Sequence, residues 1–246
     1  MGIGDEVQEY YRRLVERTDE LERAIDKAAG STLAQLLDLD EEIRVAGALA
    51  IGILRNQIIP AVKKVADTVS MSTVLRDHKK GWSKIDSGAG QISGALENEF
   101  TGIRAQVHWA GAAAEAYKTS LKGQQDSVKG LSTAAQAIES SLDAVASALD
   151  VAGYTLIPGI SVLILSIAGA IATAVTVVGL PATLAFILTT AAGFLASVSA
   201  IIAGLVSVSD SQSDQAEALK KALDAQGDWK VPNTGDFAPG KDWLPA

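Results

Sequence analysis

Apolar residues recur at steps of three and four through most of this chain, which is the spacing of one face of an α-helix. The first such stretch should form a helix that ends near Ala29, since Gly30-Ser31 follows it and charged residues occupy the other faces. Val45 to Leu54 form a second apolar run, and at about ten residues it is too short to cross a membrane. Pro60 should kink or divide the helix that follows this run.

The clearest periodicity predicts two long helices. A heptad-like series precedes Trp109-Ala110-Gly111 and resumes after it. The first series comprises Leu75, Trp82, Ile85, Ala89, Ile92, Leu96, Ile103 and Val107. The second comprises Tyr117, Leu121, Gln124, Val128, Leu131, Ala135, Ile138, Leu142, Val145 and Leu149. Two such helices joined by a short glycine-containing turn predict an antiparallel helical hairpin.

A second hairpin is predicted from a stretch that contains no charged residue. This stretch, residues 151–209, is called the apolar hairpin below. Leu180-Pro181 divides it into two halves, 160–178 and 182–208. Each half reaches the length of about 20 residues that a helix needs to cross a bilayer. We expect the tip of the apolar hairpin to consist of Gly179, Leu180 and Pro181.

The composition of the apolar hairpin leaves three alternatives open. Its alanines, glycines, serines and threonines suit close packing of helices in lipid, and they suit a buried hairpin inside a helical bundle equally well. The hairpin is therefore a permanent membrane anchor, a segment that inserts on a signal, or a buried structural element. Asp150 and Asp210 flank it and its tip is uncharged, which favours insertion tip-first from one side of a membrane.

These patterns predict an all-α protein with almost no sheet. The fold is an elongated antiparallel helical hairpin or bundle with a W-x-G turn, plus the apolar helical hairpin. Residues 211–226 continue as an amphipathic helix before an extended tail. The predicted division is an N-terminal helical segment, the W-x-G hairpin, the apolar hairpin, and the last helix with its tail, at 1–69, 70–150, 151–209 and 210–246.

Charge and cysteine content exclude several classes of partner and chemistry. The net charge of -8 argues against nucleic acid and against a polybasic attachment to anionic lipid. The chain has no cysteine, so it forms no disulfide and no thiolate metal site. Its first residues are acidic and lack an apolar core, so we expect no classical signal peptide.

No recognisable catalytic or metal-binding pattern is present in the sequence. His78 and His108 are the only histidines, and neither has a second ligand at metal-binding spacing. Phosphate-binding loops, dinucleotide-binding fingerprints and nucleophile elbows are missing. We therefore expect a protein that is not an enzyme and that carries no cofactor.

Residues 72–150 resemble the WXG100 (ESAT-6-like) family of type VII secretion substrates. The resemblance depends on Trp109-Ala110-Gly111 between two heptad arms and on the alanine-rich segment that leads to Tyr117. It implies pairing with a WXG100-like protein or a second copy, export by a membrane ATPase machinery, and recognition through Trp109, Gly111 and Tyr117. No tyrosine is followed four residues later by an acidic residue, so a partner would supply that half of the family's export signal.

Three functional hypotheses follow from these features. The first is a secretion substrate or secretion-associated interaction protein that acts at membranes, similar in plan to larger ESX-associated proteins of the EspA/EspE type. The second is a pore-forming or membrane-permeabilising protein, similar in plan to the cytolysin A and haemolysin BL toxins. The third is a resident membrane scaffold. The first places the chain outside the cell, at the cell surface or on a membrane.

Overall fold

A computed structural model describes residues 2–102 and 111–225, and it confirms the all-α class. No strand occurs in these two ranges. A π-helical turn, Leu54–Ile58, joins the third helix to the fourth. The helices are α1 (Ile3–Ala29), α2 (Thr32–Leu36), α3 (Asp40–Ile53), α4 (Ile59–Gly102), α5 (Ala112–Ala174) and α6 (Leu180–Ala225).

Contacts divide the chain into two compact units. The first unit comprises Met1–Leu75 and Ala144–Asp210, and the second comprises Arg76–Asp143 and Ser211–Ala246. The first unit therefore holds the N-terminal segment together with the apolar hairpin, although the two are distant in sequence. The segment boundary expected at residue 150 falls inside α5, which continues without interruption from Ala112 to Ala174.

The core of the first unit is built from one apolar stripe on each of four helical segments. Buried side chains from α1, from α3 and the start of α4, from α5, and from α6 form a single cluster. On α1 the members of the stripe are three, four or seven residues apart as far as Ala28, and the remaining faces are charged. Its members are Ile3, Val7, Leu14, Leu21, Ile25, Ala28 and Ala29.

Glycines permit close approach of helices within this unit. A Cβ atom at Gly4 would lie 2.7 Å from the Cα of Ser70, so α1 and α4 touch through their backbones. A Cβ at Gly47 would lie 2.5 Å from Cγ2 of Ile25, which places α3 directly against α1. Only glycine leaves room for these contacts without displacement of the neighbouring helix.

Of the two outcomes that the sequence predicts for Pro60, a kink or a division of the helix, the division does not occur. The chain passes from α3 through the π-helical turn into α4, and the Ile59 N–H donates to the carbonyl of Leu54, five residues earlier. A proline ring collides with the carbonyl four residues before it, here that of Asn56. The wider turn accommodates the ring, and a longer continuous helix results.

The second unit contains the remaining parts of α4, α5 and α6. The predicted heptad positions Ala89, Leu121 and Val128 are buried, while Ile92 and Leu131 on the same series are exposed. Polar contacts link the helices alongside this partial seam. Asp86 of α4 accepts hydrogen bonds from Ser132 and Gln136 of α5, Lys79 pairs with Asp143 at 3.0 Å, and Ser141 donates to Gln215 of α6 at 3.1 Å.

The close approach of α1 and α3 gives a stability prediction. Gly47→Ala should lower the free energy of unfolding by about 1–3 kcal/mol, because the new methyl group overlaps Ile25. Gly52→Ala on the same helix is the control, since nothing lies within 4 Å of its Cβ position. That change should raise stability by about 0.5–1 kcal/mol through helix propensity. Denaturant unfolding followed by circular dichroism measures both, and equal effects would contradict the packing described.

Candidate membrane-binding hairpin

The apolar hairpin consists of the last part of α5, a short turn and most of α6. Its two arms are antiparallel and in direct contact. A Cβ at Gly159 would lie 2.7 Å from the ring of Phe194, and the hydroxyl oxygens of Thr173 and Thr183 are 2.9 Å apart. The pairing therefore extends from near the turn to the middle of both arms.

Each arm buries one stripe of side chains against the rest of the first unit. The stripe recurs at steps of three and four, as in a heptad pattern. On α5 it comprises Ala152, Leu156, Ile160, Leu163, Ile167, Ala170 and Ala174, and on α6 it comprises Leu180, Leu184, Ile187, Ala191, Phe194 and Val198. These stripes hold the hairpin in the bundle, and together they are called the inner stripe below.

The opposite face of the hairpin is exposed and remains apolar. We define this outer face on α5 by Val151, Thr155, Pro158, Val162, Leu165, Gly169 and Ala172. Leu165 is 70 % exposed, and on α6 the Phe186 ring is exposed as well. A solvated helix normally places charged groups on such a face. Here no charged residue occurs between Asp150 and Asp210 on any face.

The hydroxyl groups of the hairpin between residues 155 and 199 are satisfied within their own backbone. Every serine and threonine from residue 155 to residue 199 donates to a carbonyl three or four residues earlier. A polar group in hydrocarbon needs such an internal partner because no water is present. The hydroxyls therefore do not oppose transfer of the outer face into lipid.

The turn of the hairpin lies slightly earlier than the sequence indicates. Residues 175–179 form it, with Gly179 as its last member. Leu180 is fully buried and begins α6, and Pro181 lies in the first turn of that helix. Proline is favoured there, because the first amide groups of a helix have no intrahelical partner. It therefore starts a helix here and does not interrupt one.

The turn contains a strained residue that the sequence does not reveal. Val177 has a φ of 64°, a conformation that β-branched residues rarely adopt. Its side chain is buried, whereas Val175 beside it is 84 % exposed. The strained backbone conformation of Val177 therefore coincides with burial of its side chain. The exposed valines at the turn make the tip apolar.

Two of the three predicted recognition residues, Gly111 and Tyr117, lie at the other end of α5. Trp109 lies outside the described residues. Gly111 has a φ of 109°, which favours glycine, and its carbonyl accepts a hydrogen bond from the Glu115 amide at 3.2 Å. Tyr117 follows on the first turns of α5, and its side chain is exposed. Gly111 thus immediately precedes the first residue of α5, Ala112.

Three helices are long and apolar enough to cross a membrane, by length and composition. They are Ala114–Ala174, Leu180–Glu217 and Asp40–Asn98. In the most apolar windows of the two hairpin helices only 33 % and 17 % are buried, so most residues of these windows keep some exposed surface. The sequence predicts that the stretch Asp40–Asn98 does not cross a membrane, because its apolar run of Val45 to Leu54 is short. The structure joins α3, the π-helical turn and α4 through Pro60, and the combined stretch is long and apolar enough to cross.

Comparisons with protein families, with curated proteins and with solved structures found no match. Among residues 2–102 and 111–225, no group of three or more histidine, aspartate or glutamate side chains is placed to hold a metal ion. The apolar hairpin is therefore the candidate site that the geometry distinguishes.

Contact between the hairpin arms can be tested with two glycines of α5. Gly159→Ala should destabilise the protein by about 1–3 kcal/mol, because the added methyl group overlaps the enclosed ring of Phe194. Gly169→Ala is the matched control, with open space around its Cβ position. Thermal unfolding should show a lower midpoint for the first variant and an unchanged or higher midpoint for the second. A lower midpoint for Gly169→Ala alone would contradict the contact between Gly159 and Phe194.

Proposed function

We propose that this protein is a secretion-associated helical interaction protein that acts at membranes through its apolar hairpin. The observation that carries the membrane part is the charge-free outer face of the hairpin. That face is exposed along both arms, and its hydroxyls need no water. The secretion part is supported by the W-x-G pattern at Trp109 and Gly111 between two heptad arms.

The length of the hairpin supports a spanning arrangement. Tyr154 on α5 and Val175 at the start of the turn are both strongly exposed, at 65 % and 84 %, and most of the outer face lies between them. The helix between them rises about 31 Å at 1.5 Å per residue. The hydrocarbon core of a bilayer is about 30 Å thick. Tyrosine is favoured at the boundary between lipid and water, so Tyr154 is suited to mark the entry level.

The energetic argument favours lipid over water for the outer face. Burial of apolar surface contributes about 25 cal/mol per Å², and the outer face has no charge to oppose it. A single charged residue at the bilayer centre costs about 3 kcal/mol. The tip residues are also uncharged, so their passage through the bilayer carries no such cost. These terms together favour insertion with the tip first.

A charge in the middle of the outer face should abolish this preference. Leu165 lies midway between Tyr154 and Val175, so Leu165→Lys would place an ammonium group at the bilayer centre. We expect binding to phosphatidylcholine liposomes, measured by flotation, to weaken by roughly 100-fold, the equivalent of about 3 kcal/mol.

The matched control is Leu131→Lys. Leu131 is also an exposed leucine on α5, at 46 %, but belongs to the second unit. That variant should bind liposomes within about threefold of the unchanged protein. Equal losses in both variants would contradict a lipid-binding role for the hairpin. Release of an encapsulated dye in the same samples would favour the membrane-permeabilising alternative.

The secretion part requires a cellular experiment. A tagged chain expressed in a cell that carries a type VII system should accumulate in the medium only when the secretion ATPase is present. Trp109→Ala should reduce that export strongly, because the indole at the W-x-G turn is the element that the resemblance assigns to recognition. Trp82→Ala, which removes an indole from the first heptad arm, should retain export. Equal export in all strains would exclude the secretion proposal and leave the membrane proposal intact.

A further inference from the structure

Helix α1 lies beside the apolar hairpin but is unsuited to lipid. Its start is anchored on α5, since a Cβ at Gly153 would lie 2.7 Å from the side chain of Ile3 and 3.5 Å from that of Val7. Its buried stripe belongs to the same core as the inner stripe of the hairpin. The rest of α1 is strongly charged. The charges lie at Asp5, Glu6, Glu9, Arg12, Arg13, Glu16, Arg17, Asp19, Glu20, Glu22, Arg23, Asp26 and Lys27.

These charges are distributed along the depth that the hairpin would occupy in a membrane. α1 is 27 residues long and starts at the level of Gly153, one residue before the proposed entry level at Tyr154. Its ion pairs, such as Arg13 with Glu9 and Arg17 with Glu20, lie in its middle and face water. Lipid would surround a spanning hairpin on every side, and so many charges at bilayer depth are strongly unfavourable.

We propose that α1 is a releasable cover of the hairpin. In water it shields the inner stripe, and it leaves the hairpin when the two arms enter the hydrocarbon core of a bilayer. This inference rests on the proposed membrane function and adds the conformational change that insertion requires. Once released, α1 is an amphipathic helix with one apolar stripe, which suits the surface of the membrane.

The polar contacts of α1 with the π-helical turn and with α4 are compatible with release. Arg55 pairs with Asp19 at 2.9 Å and with Glu22 at 2.6 Å, and all three side chains are exposed. Gln8 donates to Asp67 at 3.0 Å, also at the surface. Exposed polar contacts of this kind contribute little to stability. Apolar burial therefore holds α1 in place, and lipid offers an alternative environment for the same apolar surfaces.

The absence of cysteine allows a direct test with single reporter residues. Thr18→Cys places a thiol of similar size at a fully buried position of α1, and Leu165→Cys places one on the exposed outer face of α5. Each variant is treated with a membrane-impermeant maleimide, first in buffer and then bound to phosphatidylcholine liposomes. Reaction of Thr18→Cys in buffer should be slow, which verifies that the variant is folded.

On liposomes we expect the two reactivities to change in opposite directions. The Leu165→Cys thiol should become at least tenfold less reactive as it enters lipid, while the Thr18→Cys thiol should become at least tenfold more reactive as α1 is released. Protection of both thiols would contradict the release of α1 and indicate that the intact bundle docks on the membrane. Persistent reactivity of Leu165→Cys would instead overturn the proposed membrane function, so the two failures are distinguishable.

A substitution that loosens the cover gives an independent measurement. Gly47→Ala inserts a methyl group between α3 and Ile25 of α1, whereas Gly52→Ala meets no neighbour. In the Leu165→Cys background, Gly47→Ala should accelerate protection on liposomes by roughly threefold or more, and Gly52→Ala should leave the rate unchanged. Equal rates in both would argue that release of α1 does not limit insertion.

Discussion

The structure depends on a mismatch between the apolar surface of the hairpin and the surface that the rest of the chain can cover. The two arms of the hairpin carry no charge and have apolar groups on all faces, but a small helical bundle buries only one stripe of each arm. The fold meets this constraint by enclosing the inner stripe with α1, α3 and α4. The outer face, centred on Leu165, is left without a partner among the described residues. A contiguous exposed apolar face of this kind marks a binding surface for lipid or protein.

The N-terminal helices cover the inner stripe of the hairpin. Glycines at positions 4, 47, 153 and 159 permit close contact among α1, α3, α4 and the hairpin arms, because an atom of the neighbouring helix lies 2.5–2.7 Å from each Cβ position. Close contact maximises the apolar surface removed from water per residue. The charged side chains of α1 lie on its exposed faces, while the outer face of the hairpin remains apolar. Charges at bilayer depth are strongly unfavourable, and this cost is the physical reason for the proposed release of α1 at a membrane.

The sequence predicts the all-α class and the course of α1 through its end at Ala29, because helical periodicity and a terminal glycine are local signals. It does not reveal that α1 packs on Gly153, since no local pattern encodes contacts between distant segments. Pro60 shows the same limit, because the π-helical turn that accommodates its ring has no sequence signature. For the candidate site, the absence of charge identifies the hairpin. Which of its faces is exposed follows only from packing, and the strained turn at Val177 is invisible in the sequence.

The most direct test of the account is the location of the hairpin tip in a bilayer. Val178 is exposed at the turn, and a single cysteine introduced there can be labelled from either side of a liposome. With protein added outside, Val178→Cys should become unreactive toward an external impermeant maleimide and should react with the same reagent trapped in the lumen. Continued reaction with the external reagent, and none from the lumen, would contradict a hairpin that spans the membrane.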